Sequence, residues 1–295
     1  MMAEKILDLV CRPARESDTP DMLELTRAIW DGHDYVPQVW TEWLADPHGQ
    51  LAVAEWQGRV VGLGKLTRLS SRDWWLEGLR THPELEGRGI AARLHEHLLD
   101  LWLQSGAGAL RLATASFRLS VQHLCERTGF EKMGEFSNFG ASALSGAVET
   151  FRPLSTAELD EALEIAVKSE SLAFSNGLMD LSWRWASPSQ AFLSEAAELG
   201  KAWWWRDRQG LLVLTEDSDD DDDRVYPMVK LLACSNVAVP ALLEDYRRMA
   251  GLQGFEQARW AAPLHPGLLP LLEAAGFQRE WDAAIFIYAK KHPVV

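Results

Sequence analysis

The placement of glycines between residues 78 and 98 constrains this chain more than any other feature. An apolar strand reaching Thr81 runs into Glu86-Gly87-Arg88-Gly89-Ile90-Ala91, and an amphipathic helix leaves that turn. Glycines at 87 and 89 let successive backbone N–H groups turn toward one point, and the start of the helix adds its partial positive charge. The result is a cradle for a diphosphate built from main chain more than from side chains. The turn lacks the Gly-Lys-Ser/Thr of a nucleotide-hydrolase loop, and its glycine spacing does not suit a dinucleotide fold.

The surrounding pattern is α/β. Residues 50–56 and 60–69 read as strands joined by Gln57-Gly58-Arg59, a hairpin signal. Residues 109–113 read as a strand after the Gly106-Ala107-Gly108 turn, and 119–130 as a helix that leaves through Gly129 in a left-handed turn. The second half repeats this rhythm. Residues 202–206 and 210–215 suggest a hairpin and 225–234 the next strand. Helices follow at 241–250 and 268–275, around a strand at 258–261, and 284–289 closes as an apolar strand. Ala-Ala-Gly-Phe at 274–277 echoes Arg-Thr-Gly-Phe at 127–130, yet Ser235-Asn236-Val237-Ala238-Val239-Pro240 contains no glycine turn able to cradle a phosphate. The boundary between halves falls near 141–153, giving domains 1–146 and 153–295.

At 295 residues each half can bury a core. The net charge of −14 gives no electrostatic case for nucleic acid or acidic membranes. Cys11, Cys125 and Cys234 show no metal spacing and suit a reducing compartment, so no metal and a cytoplasmic setting are expected. No segment reads as a signal peptide, and no apolar run approaches the roughly 20 residues of a membrane span. The acidic run at 216–224 lacks the central glycine and terminal glutamate of a calcium loop and reads as a solvated, mobile hairpin tip. Trp74-Trp75 and Trp203-Trp204-Trp205 lie in strands, where neighbours face opposite sides, so a second packed layer is expected over each pair of faces.

The loop and the Gly-Phe helix together resemble the GNAT superfamily of acetyl-CoA-dependent N-acetyltransferases. Its pyrophosphate loop reads Arg/Gln-x-x-Gly-x-Gly/Ala; Gly89 and Ala91 match, and Glu86 replaces the first residue. The segment 29–37, the Ala45-Asp46-Pro47 stretch and Glu77-Gly78-Leu79-Arg80 resemble the histidine N-acetyltransferase group, whose members also carry a further C-terminal domain. The resemblance implies a mixed-sheet α/β fold of tandem GNAT-like domains, the second degenerate. That second domain would pack, dimerise or help shape the substrate pocket. It implies acetyl-CoA as cosubstrate, held by Leu79, Arg80, Thr81, Glu86, Gly87, Arg88, Gly89, Ile90 and Ala91. The strand before the loop is expected to bulge, with the Leu79 amide meeting the thioester carbonyl.

An acceptor amine must lose a proton, since free α-amines titrate near 8 and lysine near 10.4. Glu77 is the first candidate base, two residues before Leu79 and therefore expected on its face; His82 is the second. The family's acidic tyrosine is replaced by Cys125, leaving the acid step to that thiol, to water or to Tyr35. Acceptor contacts are expected from Trp30, His33, Asp34 and Tyr35, with a free amino acid or similar small amine as substrate. Arg80 alternates to the opposite face, which favours a structural ion pair over a substrate carboxylate. A decayed acyl-CoA sensor or scaffold, and a peptide or protein N-acetyltransferase, are the alternatives.

Overall fold

The computed structural model of the chain describes residues 6, 8–27, 29–105, 107–218 and 224–293. Most of the acidic tip expected at 216–224, and Gly106 of the expected turn, lie outside the described residues. By compactness the chain forms two units, one of residues 1–112, 120–131 and 289–295, the other of 113–119 and 132–288.

The first unit contains β1 (Val10–Pro13), α1 (Thr19–Arg27), α2 (Val36–Ala45), β2 (Gln50–Trp56), β3 (Arg59–Arg68), β4 (Asp73–Thr81), α3 (Ile90–Ser105), the start of β5 (Ala109–Ala115) and nearly all of α4 (Leu119–Arg127). Strands β1 to β4 pair antiparallel in sequence order, and β4 then pairs parallel with β5. Gln57 and Gly58, both at positive φ, make the tight β2–β3 turn that the sequence signals. Met22, Leu25, Val36, Trp40 and Trp43 of α1 and α2 pack on Leu51, Val53, Val60 and Leu63, covering one face. The other face meets α3, whose Ile90, Leu94, Leu98 and Trp102 recur every fourth residue and are all buried. With a helical layer on each face, Trp74 and Trp75 are both buried, as their alternation requires.

The second unit contains most of β6 (Glu131–Ser142), β7 (Phe151–Pro153), α5 (Leu159–Lys168), α6 (Glu170–Ala173), the short pair β8 (Met179–Asp180) and β9 (Trp185–Ala186), and α7 (Gln190–Glu198). There follow β10 (Ala202–Trp205), β11 (Gly210–Ser218), β12 (Val225–Cys234), α8 (Val239–Leu252), β13 (Gln257–Pro263), α9 (Leu269–Ala274), β14 (Gln278–Arg279) and most of β15 (Ile285–Lys291). The order β7-β10-β11-β12 is antiparallel and β12–β13 parallel, which repeats β1 to β5 strand for strand. Trp204 belongs to a core shared with α5 and α7, while Trp205, with Trp203 beside it, belongs to one shared with α8 and α9.

The two units do not follow the contiguous 1–146 and 153–295 division. Residues 132–152 go with the second unit and 289–295 with the first. There the His292 N–H donates to Gly108 O at 2.8 Å, and Lys290 Nζ donates to Thr128 O at 2.9 Å. Hydrophobic pattern marks 284–289 as a strand but carries no information on which ladder it joins. Among the described residues, no helix is long and apolar enough to cross a membrane, and no cluster of His, Cys, Asp or Glu is arranged to hold a metal ion.

Candidate functional site

Strand β4 is where the chain departs from regular pairing. Leu63 opposes Arg80 and Lys65 opposes Glu77, so Gly78 and Leu79 together oppose the single residue Gly64. This is a β-bulge, and Gly78 takes φ +65°, which a glycine adopts without penalty. On its other side β4 pairs with β5 only from Asp73 to Trp75. Residues 76–81 are therefore paired through β3 alone, and the bulge re-aims their main chain at the edge left over.

The extra residue resets the alternation of side chains. Lys65 reaches Asp46, just past α2, and Glu77 opposite it accepts from Thr67 Oγ1 at 2.5 Å, which places Glu77 on the α2 face. Leu79 lies instead near Gly64, beside Leu94 and Leu98 of α3. Glu77 and Leu79 thus point to opposite faces, which corrects the expectation from simple two-residue parity. The same shift carries Arg80 onto the α2 face, where parity alone had not put it. Arg80 Nε donates to Asp34 Oδ2 at 2.8 Å and an Arg80 terminal nitrogen to Asp34 Oδ1 at 3.1 Å, a bidentate pair with Asp34 fully enclosed. The expected structural ion pair is present, and its partner is a residue expected to bind substrate. Asp34 also accepts from the Val36 N–H at 3.2 Å, which fixes the turn into α2.

Trp30 and Tyr35 flank the same guanidinium, whose carbon lies 4.4 Å and 5.3 Å from their ring centroids. Tyr35 meets Trp43 edge-on at 6.0 Å. Trp43 in turn fills the space over the bulge: a β-carbon on Gly78 would come 2.6 Å from its ring. His33 is exposed at the end of the turn that starts at Trp30. Glu77, Trp30, Asp34, Tyr35 and Arg80 therefore gather on one face beside the bulge.

Past Thr81 the chain makes a short helical turn at Pro83–Leu85, then Gly87 and Gly89 adopt φ +77° and +86°. The turn's own bonds use the N–H groups of Leu85, Glu86 and Arg88, and the Gly89 carbonyl accepts from Arg93. The amides of Ile90 and Ala91 belong to the first turn of α3 and have no residue four back within the helix to donate to. Glu86 is exposed, and Ile90 has its side chain in the core, so both can meet a ligand there through main chain. These residues fit a diphosphate. His82 precedes the loop with its N–H bonded to Val61 O at 2.9 Å.

Cys125 stands apart from this group. It is fully enclosed within α4, and burial pushes its thiol up to about 12. An acid so costly to ionise and so sealed does not suit protonation of a departing thiolate, which corrects its nomination for that step. Gly129 ends α4 at φ +77°, as the sequence indicates.

The second unit keeps the bulge and lacks the cradle. Val213 opposes Leu231 and Leu214 opposes Val229, leaving Lys230 as the extra residue of β12. Lys230 is buried, and its Nζ donates to Asp180 Oδ2 at 3.1 Å. After β12, Pro240 in the first turn of α8 removes one of the amides a phosphate would need. Sequence reading found the missing glycines there but not Lys230 and Asp180, nor the Thr67 bond to Glu77. Both depend on long-range pairing, which a single sequence does not display.

A bulged, one-sided strand leading into a glycine-rich turn and helix offers main-chain donors beside a diphosphate cradle, an arrangement that suits a coenzyme A-dependent acyltransferase. Residues 14–130 match the acetyltransferase (GNAT) family, so the chain carries a GNAT acetyltransferase domain. It is similar to a human protein named Probable N-acetyltransferase 16, at 27% identity over 216 residues, covering 67% of this chain and 58% of that one. It is also similar to a histidine N-acetyltransferase of Scomber australasicus, at 32% over 89 residues, or 30% of this chain and 26% of the relative. The chain thus spans less than two thirds of either relative's length. In fold it matches a GCN5-related N-acetyltransferase from Sphaerobacter thermophilus with a TM-score of 0.64 at 13% identity, covering 99% and 98% of the two chains. A tandem GNAT protein from the clavulanic acid biosynthesis pathway matches at 0.59 and 12% identity, covering 98% and 100%.

Proposed function

We propose that this chain is an N-acetyltransferase that moves the acetyl group of acetyl-CoA to the primary amine of a small molecule, a free amino acid, by direct attack. The bulge at Gly78–Leu79, followed past the short Pro83–Leu85 turn by the Gly87–Ala91 turn, is the observation that carries this reading. Acetyl-CoA supplies an activated acetyl thioester. Main-chain N–H groups of Gly87, Gly89, Ile90 and Ala91 hold the diphosphate, and the main chain of Leu79 and Thr81 holds the pantetheine arm. The Leu79 N–H donates to the carbonyl oxygen as negative charge develops there, a contribution of about 3 kcal/mol for one oriented donor.

Glu77 takes the proton of the attacking amine, directly or through a water, with its carboxylate held in place by the Thr67 hydroxyl. Trp30 and Tyr35 wall the acceptor from the α2 side, and with Cys125 set aside Tyr35 or a water returns the proton to the departing thiolate. The name of the histidine N-acetyltransferase relatives supports a free amino acid as acceptor.

Thiol release, measured over a panel of free amino acids and amines, tests the reading. Turnover on one group of them is expected, with Glu77→Gln losing about 10²- to 10⁴-fold in kcat at unchanged acetyl-CoA affinity. Tight acetyl-CoA binding without turnover on any amine would mean a sensor, and absence of binding would refute the proposal altogether.

A further inference from the structure

Leu79 offers its amide to the thioester, and the very next side chain is committed elsewhere. Arg80 is bound through both carboxylate oxygens of Asp34, which lies in the acceptor segment. Asp34 and the Arg80 guanidinium are nearly sealed from water, at 1% and 10% side-chain exposure. Trp30 and Tyr35, one on each side of Asp34 in sequence, both take position against that guanidinium. Trp30 does so at φ +48°, a left-handed conformation that costs a bulky residue energy and persists only where its surroundings hold it.

We propose that Asp34 and Arg80 are a positioning pair that sets the acceptor segment, residues 29–36, at a fixed distance from the thioester-facing bulge. The inference rests on the acetyltransferase reading above and adds what orients the acceptor. A free segment of this length has many conformations; a bidentate fork removes sliding and rotation together, which a single contact does not. The pair touches no reacting atom. Its effect is to place Trp30 and Tyr35, and through them the amine, relative to Leu79 and Glu77. It also removes Arg80 from recognition of an acceptor carboxylate.

The test uses the full chain and the variants Asp34→Asn, Arg80→Lys and the two combined. Backbone hydrogen exchange is read over 29–36 and over 83–92, acetyl-CoA affinity by calorimetry, and kcat and acceptor KM by thiol release. Asp34→Asn is expected to speed exchange at 29–36 while 83–92 stays protected and acetyl-CoA affinity holds. It should lower kcat/KM by about 100-fold, the loss that a 1 Å misplacement brings. Arg80→Lys keeps the charge but loses the fork, so a smaller loss is expected, and the double variant should fall no further than Asp34→Asn. Unchanged exchange at 29–36, or loss of acetyl-CoA affinity in step with turnover, would overturn the pair's positioning role. If the wild-type chain binds acetyl-CoA and acetylates nothing, the acetyltransferase reading falls, and the exchange result still decides whether the pair holds the segment.

Discussion

Gly78 meets two demands at once. Its φ of +65° costs other L-residues about 1–2 kcal/mol, and its missing side chain makes room for the Trp43 ring. Gly58, in the β2–β3 turn at φ +77°, meets only the first, since a β-carbon there would touch nothing within 4 Å. Gly58→Ala is therefore expected to cost about 1 kcal/mol, and Gly78→Ala about 2 kcal/mol more because Trp43 must shift. Chemical denaturation of the two variants measures the difference, and equal losses would show that Trp43 exerts no pressure on the bulge. Acetyl-CoA affinity should fall only for Gly78→Ala. The sequence placed the bulge on this strand through family resemblance, but strand parity then misdirected the side chains of Glu77, Leu79 and Arg80. One inserted residue inverts every later position; an isolated glycine within the strand, Gly78, is its local mark, but alternation alone takes no account of it.

Elements were more legible than their connections. The four-residue stripe of α3, the Gly129 exit of α4 and the β2–β3 turn are local, and local chemistry determines them. What ties α3 to α4 is not local. His95 of α3 is buried, with Nε2 3.0 Å from Thr128 Oγ1 just past α4 and its ring 5.6 Å from that of Phe130. Burial, reinforced by the charges of Arg127 and Lys290, pushes the imidazole down to about 4 from 6.5. A lowered value means the unfolded chain binds more protons than the folded one between those limits. Stability is thus complete above pH 6.5 and is lost as pH falls toward 4, by up to about 3 kcal/mol. Thermal midpoints recorded from pH 7 to pH 4 should fall accordingly, and His95→Gln should flatten that dependence. An unaltered slope in the variant would assign acid sensitivity to other groups.

At the scale of the whole molecule, the first unit takes in residues 289–293, which follow the second unit in sequence. Lys290 Nζ donates to Thr128 O, and the His292 N–H donates to Gly108 O. The His292 ring stands edge-on to Trp102 of α3 at 5.2 Å, and its Nε2 lies 3.2 Å from Leu103 O. Ala289 and His292 are buried. A chain ended at Tyr288 would leave Thr128 O, Gly108 O and Leu103 O without these partners and would open the side of Trp102. These three hydrogen bonds, at about 1 kcal/mol each, set a floor of about 3 kcal/mol on the expected loss, to which the removed end of β15, residues 289–291, and the apolar exposure add. Because α3 also carries the amides of Ile90 and Ala91, the truncated chain should bind acetyl-CoA more weakly as well as melt lower. Lys290→Ala and His292→Ala separate the contributions, each expected to give part of the loss. If the chain ending at Tyr288 melts and binds acetyl-CoA like the full one, these terminal contacts do not support the site, and the contiguous division at 146 and 153 describes the folding units better than compactness does.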